Sequence, residues 1–450
     1  MNTTKYRFEG SEMNSKLLMG HPSGLFVLFF TEMWERFSYY GMRAILVLFL
    51  TSALIDGGWA WSREDALGLY GTYTMLVYFS PILGGWLADK YFGYRNSVVW
   101  GALIMALGHA AMAFDTPWSL YIGIGLLVAG NGLFKPNMTS IINGMYVNAQ
   151  EKKDGAFTIY YMGVNAGAFL GILLCGYIGE TQGWHYGFGL AGIFMFFGTL
   201  QFWLAQGIFG KVGLSVSKTA QYEDTSNKTS INNEQKVVSD KIQRDRYIVV
   251  GILAFFTIFF WAAFEQAGGS MTIFAKDYTN RVLEGNSANI FRISNTLLTV
   301  VPLIIITYVL FKLFQITFKK YALSNIFLGT SFVIIWAIVI WMLKNQFTEV
   351  KTEVPASWFS ILNSFYIITF APLFSKLWES KYNPSAAIKF GLGLILLGLG
   401  FGVLAYGSAS IPQGAQTASV SMIFLIVAYL FHTLGELTLS PVGLSYVSKL

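Results

Sequence analysis

Twelve stretches of the chain are apolar for long enough to cross a hydrocarbon core, which takes roughly 20 helical residues. Six lie near 25–53, 66–89, 96–114, 118–143, 156–178 and 187–209. Six more lie near 247–273, 294–318, 323–344, 357–380, 386–408 and 419–448. Between the two sets, 211–246 is rich in Ser, Thr, Asn, Lys and Glu. The pattern predicts an all-α, multi-spanning membrane protein: an N-terminal six-helix bundle over 1–210, a polar cytoplasmic linker over 211–246, and a C-terminal bundle over 247–450. The first 24 residues are polar and the first apolar run enters directly as a helix, so no cleavable signal peptide is predicted.

Composition agrees. Charged residues make up 12% of the 450 residues, against about 25% in soluble domains, too few to coat a soluble particle of this size. The lone Cys175 excludes a disulfide scaffold or a cysteine-rich metal site. His21, His109, His185 and His432 are scattered and form no metal-ligand pair, so neither a metal nor a cofactor is expected. The net charge of +6 does not point to nucleic acid, because most basic residues sit in short loops between apolar runs. With the N-terminus inside, twenty Lys and Arg fall in cytoplasmic segments and six in external ones. That bias places the N-terminus and the linker on the cytoplasmic side of the inner (plasma) membrane.

Six helices, a linker and six helices is a layout of two-bundle secondary transporters. Between the second and third runs, Gly85, Asp89, Lys90, Gly93 and Arg95 stand in the spacing GxxxD(R/K)xxGxR. This loop resembles that of the major facilitator superfamily; on its own it also reads as an ordinary charged turn.

Ionisable residues inside apolar helices cost at least about 2.5–3.5 kcal/mol each at mid-membrane depth, so each one calls for a reason. The basic ones are Arg36, Arg43 and Lys135; the acidic ones are Glu32, Glu35, Glu265 and Glu436. On the first helix Glu32, Glu35, Arg36, Tyr39, Tyr40 and Arg43 fall within an arc of about 140°. Such a stripe must face protein or water, either as ion pairs that glue helices or as a cavity wall for an anionic group. Pro136 disturbs the helix beside Lys135 by removing a backbone donor. Three cations against four carboxylates leave one negative charge when all are ionised. A carboxylate whose cationic partner is taken by a substrate then has room for a proton, which predicts proton-coupled transport of a solute bearing a carboxylate.

Glu32, Glu35, Arg36, Phe37, Tyr39, Tyr40 and Gly41 reproduce the spacing ExxERFxYYG, which resembles the signature of the proton-dependent oligopeptide transporter (POT/PTR) family. Further resemblances follow at 131–137, around Lys135 and Pro136; at 160–168, where Tyr160 stands for the family's Phe; at 260–266; at 362–373; and at 435–444. The resemblance implies import of di- and tripeptides with protons. It assigns the peptide carboxylate to Arg36, Tyr40, Arg43 and Lys135, with Tyr78 as a further contact. It assigns the ammonium to Glu436 with Asn165 and Asn363, and a side-chain pocket to Trp261. Proton coupling falls to Glu265, with Glu32 and Glu35. The partners expected are peptides, protons and the lipid bilayer, with a monomer as the working unit.

The chain also departs from the family. The 211–246 stretch is too polar for the extra helices that bacterial relatives often carry between the bundles. If Asn363 and Glu436 belong to the family's eighth and tenth helices, the runs at 294–344 are an extra pair inserted after helix seven. The last two family helices are then missing from the sequence. The competing count is a complete twelve-helix chain, and Asn295 ahead of Pro302 weakly mimics the spacing of Asn363 and Pro372. No histidine lies between 66 and 89, and His432 reads as a packing residue. Rival functions are transport of another small anion or modified amino acid, drug export within the superfamily, and a membrane enzyme. The last has no nucleophile–His–carboxylate set to support it.

Overall fold

The computed structural model describes residues 8–9, 16–215 and 240–447. Each of the twelve apolar stretches is helical. In chain order the helices are α1 (Ser23–Thr51), α2 (Arg63–Leu87), α3 (Tyr94–Met112), α4 (Pro117–Met145), α5 (Lys153–Gln182) and α6 (Trp184–Ala205). Then come α7 (Asp240–Phe264), the short α8 (Ser270–Asp277), α9 (Gly285–Thr317), α10 (Ala322–Thr348), α11 (Ile361–Glu379), α12 (Ala386–Ser408) and α13 (Ile423–Val447). Among the described residues nine helices are long and apolar enough to cross a membrane. Although α1 has the length, with 29 residues, four charges dilute its hydropathy. It is buried from Ser23 to Leu50 except at Tyr40, so those charges are shielded by protein.

Most of the 211–246 linker, residues 216–239, lies outside the described residues. What is described shows α7 beginning at Asp240, earlier than hydropathy places it. Charged residues suit a helix end that projects past an apolar core, and an apolar window cannot register them.

The chain divides into two compact units, one of Met1–Asp224 with Val282–Ser357, the other of Thr225–Arg281 with Trp358–Leu450. Thus α9 and α10, which the sequence division counted with the C-terminal bundle, pack within the first unit. The reason is visible in their contacts. Phe332 of α10 meets Phe30 and Trp34 of α1 at ring distances of 5.6 and 5.5 Å, and Ser324 donates to the Gln201 carbonyl on α6 at 2.8 Å.

In the first unit α1 is the central helix, flanked by α5 and α6, while α4 packs on α2 and α3. Local sequence starts these helices cleanly. Ser62 caps α2 by accepting the Asp65 amide at 3.1 Å, and Thr116 and Ser119 form a reciprocal capping box at α4, with Pro117 in the first turn. At the start of α1 a small hairpin, β1 (Leu17–Leu18) with β2 (His21–Pro22), brings His21 Nδ1 to the Tyr146 hydroxyl at 2.7 Å.

The charged loop after α2 proves to be a fastener. Gly93 turns with φ 73°, and a Cβ there would sit 2.5 Å from the Ser215 amide nitrogen. The buried Arg95 donates to the carbonyls of Gln206 and Gly210 at 2.7 and 2.9 Å. The motif therefore ties the start of α3 to the chain that leaves α6.

In the second unit α13 lies between α11 and α12, and Phe260, Phe390, Leu397 and Leu439 form its core. A parallel pair, β3 (Thr279–Asn280) with β6 (Val420–Ser421), joins the loops after α8 and α12. The remaining strands, β4 (Val282–Leu283) and β5 (Thr352–Glu353), pair antiparallel in the first unit.

Candidate functional site

The polar stripe on α1 is an ion-pair cluster with aromatic walls. Arg36 Nε lies 2.9 Å from Glu32 Oε1 and 2.6 Å from Glu35 Oε2, and all three side chains are almost wholly buried. The pairing with Glu32, one turn earlier, has hydrogen-bond geometry. That with Glu35 is a charge contact only, since neither Glu35 oxygen has an aligned donor. Arg36 Nη2 is likewise buried without a hydrogen-bond partner. A buried donor of that kind is costly unless something occupies it. The Tyr39 ring stands 5.5 Å from the Arg36 guanidinium and 6.0 Å from that of Arg43.

Two turns on, Arg43 Nε donates to the Tyr70 hydroxyl of α2 at 2.6 Å. Its guanidinium also lies over the Tyr40 and Tyr70 rings at 5.9 and 5.5 Å. Sequence reasoning missed Tyr70. The available signal was its place on α2, eight residues before Tyr78 and so on a similar face. Lys135 of α4 stands 5.3 Å over the Tyr78 ring and interacts electrostatically with Glu35.

Close helix approach holds this geometry. Along α5, Gly163, Gly167 and Gly171 lie against Phe29, Met33 and Phe37 of α1. A Cβ on Gly167 would stand 2.9 Å from Arg36 Cβ and would overlap the Met33 carbonyl oxygen. On α4, Pro136 has no N–H to offer the Gly132 carbonyl one turn back. That carbonyl lies against Gly84 of α2, and beside it Asn131 donates to the Val77 carbonyl at 3.1 Å. Asn165, also in the first unit, donates to the Tyr161 carbonyl of its own helix at 2.9 Å.

The second unit brings together Asn363 of α11 and Glu436 of α13. Asn363 Nδ2 donates to Glu436 Oε2 at 3.0 Å and to Thr433 Oγ1 at 3.1 Å. Thr433 was also missed; lying three residues before Glu436, it shares that residue's helix face. Glu265 opens the 3-10 turn that follows α7, and its charge is felt by Glu436. Trp261, one turn before Glu265, stacks edge-on with Phe260 and Phe264 at 5.5 and 5.2 Å. His432 is buried against Phe401 at a ring distance of 4.5 Å, with neither ring nitrogen hydrogen-bonded. The side chains of the Ser440–Pro441 part of the last motif lie outside the described residues.

Comparison with known proteins decides the family. The chain matches the model of the POT family (PTR2) over residues 95–225 and 328–450. It belongs to the POT family. The POT chain is 33% identical to the uncharacterized transporter YclF of Bacillus subtilis, covering 97% of this chain and 83% of that one. It is 30% identical to the peptide transporter YePEPT of Yersinia enterocolitica, again over 97% and 83%. Among solved structures it is similar to a peptide transporter POT in complex with sulfate, with TM-score 0.72 and 29% identity over 96% of this chain and 84% of that one. The POT chain is therefore a membrane transporter with a major facilitator-like helical fold.

Proposed function

We propose that this POT-family protein is a proton-coupled symporter that imports di- and tripeptides across the plasma membrane by alternating access, working as a monomer with its N-terminus and linker in the cytoplasm. The observation that carries the reading is the buried stripe on α1, where Arg36 sits between two carboxylates and keeps a donor without a partner. A peptide carboxylate offers the acceptors that a guanidinium edge takes in bidentate fashion. Arg36, Arg43, Lys135 and Tyr40 hold that end, with Tyr78 beside Lys135. Glu436, oriented by Asn363, receives the ammonium together with Asn165, and Trp261 lines a side-chain pocket. Several relatives carry peptide-transporter names, which supports the substrate class.

Charge balance supports the coupling. When the substrate carboxylate engages the cations, one carboxylate among Glu32, Glu35 and Glu265 takes a proton and keeps the buried set near neutrality. Glu265 is the proton site in this scheme. An inward proton releases about 2.3 kcal/mol per 100 mV, enough to concentrate a neutral solute. The test is uptake of labelled dialanine into proteoliposomes with and without an imposed inward proton gradient. Proton-stimulated uptake that unrelated dipeptides compete for is expected; its absence refutes the proposal.

A further inference from the structure

The segment 282–357 leaves the second unit after Arg281 and returns to it at Trp358, yet everything between packs in the first unit. Its two ends meet. Val282 pairs with Glu353 and Leu283 with Thr352, so β4 and β5 close the base of the α9–α10 pair. Buried Arg292 locks that base, donating from Nε to Thr352 Oγ1 at 2.8 Å and from Nη2 to the Glu349 carbonyl at 2.6 Å. One turn further along α9, Asn295 donates to Gln346 of α10 at 2.9 Å.

A second fastening lies where the chain turns back. Glu180, in the last turn of α5, accepts the amides of Ala356 and Ser357 at 2.8 and 2.9 Å and the Ser357 hydroxyl at 2.5 Å. A carboxylate at a helix C-terminus is disfavoured by that helix's own dipole. Three donors, two of them at the start of the turn that leads into α11, offset this and make strong charge-assisted bonds. No other part of the proposed transport scheme uses Glu180, and Asn363 follows seven residues after Ala356.

We propose that Glu180, with Arg292 and the β4–β5 pair, is a fixed anchor: α9 and α10 travel with the first unit throughout transport, and the swing of the chain falls on the links at Arg281–Val282 and Ser357–Trp358. Glu180 is thus a positioning residue for the Ala356–Ser357 turn. The inference rests on the transport reading, except for the exchange measurement on Glu180.

Two measurements test it. The first places cysteines at Val282 and Glu353 in a Cys175→Ala background; antiparallel partners have Cα spacings that a disulfide spans. Dialanine uptake by the oxidised protein is expected within twofold of the reduced protein. Uptake abolished by oxidation and restored by dithiothreitol would overturn the anchor, since β4 and β5 would then have to part in each cycle. The second is hydrogen–deuterium exchange on Glu180→Gln. A glutamine offers one carbonyl oxygen in place of two carboxylate oxygens, so at least one of the Ala356 and Ser357 amides is expected to exchange at least tenfold faster than in wild type. Unchanged protection overturns the role of Glu180. If wild type takes up no dialanine, the transport reading fails and the exchange measurement still decides the role of Glu180. Where uptake is present, Glu180→Gln is expected to lower Vmax at least fivefold with KM within twofold; an unchanged Vmax counts against it.

Discussion

Replacing Gly167 by alanine adds one methyl group at the tightest point between α5 and α1. The new carbon would stand 2.9 Å from Arg36 Cβ, where ordinary contact begins at 3.4 Å, and would also overlap the Met33 carbonyl oxygen. Both neighbours are α1 main chain or the root of its charged side chain, so neither can rotate away. The helices must separate by at least about 0.5 Å, an overpacking strain on the order of 1–3 kcal/mol. That shift moves Arg36 relative to α2 and α4. A misplacement of about 1 Å in a reacting site costs on the order of 100-fold, so roughly tenfold in transport rate is expected here. Thermal unfolding in detergent and dialanine uptake in proteoliposomes read the two effects. Gly68→Ala is the control: nothing lies within 4 Å of its Cβ position, and the same substitution in a helix interior favours stability by about 0.5–1 kcal/mol. If Gly167→Ala unfolds and transports like Gly68→Ala, the α1–α5 contact is not what fixes the stripe.

Arg36→Met strands two buried carboxylates and is expected to lose about 3–5 kcal/mol; adding Glu32→Gln and Glu35→Gln should recover most of it while uptake stays absent. A triple variant no more stable than Arg36→Met would contradict the ion-pair account. Glu265→Gln should abolish proton-driven accumulation yet keep peptide exchange across the membrane, and retained uphill uptake would move the proton site elsewhere. His21, outside the spanning part of α1, has its pKa lowered from 6.5 by burial first and the nearby Lys152 second. Its neutral ring is thus favoured in the folded state. Stability is fully present above about pH 6.5 and falls as pH drops below it, because only the unfolded chain takes the proton. The unfolding temperature of His21→Gln should vary less than wild type between pH 6.5 and 5; parallel curves would show that His21 plays no part.

Much of this architecture was legible because lipid imposes a simple code. Each of the twelve apolar runs is helical among the described residues, and the charges forbidden by lipid marked the α1 stripe, Lys135 and Glu436. What escaped notice depends on partners distant in sequence. Tyr70 carries no charge and looks like any interfacial tyrosine until Arg43 reaches it. Arg95 reads as one more positive-inside residue, although its Nη1 and Nη2 donate to carbonyls that close the first unit. Glu180 sits in the last turn of α5, where nothing nearby in sequence accounts for an acid, and only the fold supplies the Ala356 and Ser357 donors. The assignment of α9 and α10 to the first unit was equally hidden, since hydropathy reports that a helix is covered, not by which neighbour. The strands β1 to β6 have two residues each, far too short for an alternating pattern.

The gap that Pro136 leaves in the backbone ladder of α4 gives that helix a mechanical character. A helix bends most easily where one of its longitudinal bonds is absent, and the missing bond here is on the turn that carries Lys135. The Gly132 carbonyl set free by Pro136 rests on bare backbone at Gly84, a smooth bearing with no side chain to catch. Lys135 is therefore mounted on a compliant arm, whereas Arg36 is clamped between two carboxylates on a stiff one. Under the proposed function, in which both cations hold the substrate carboxylate, a rigid jaw and a yielding jaw would close on carboxylates presented at different depths.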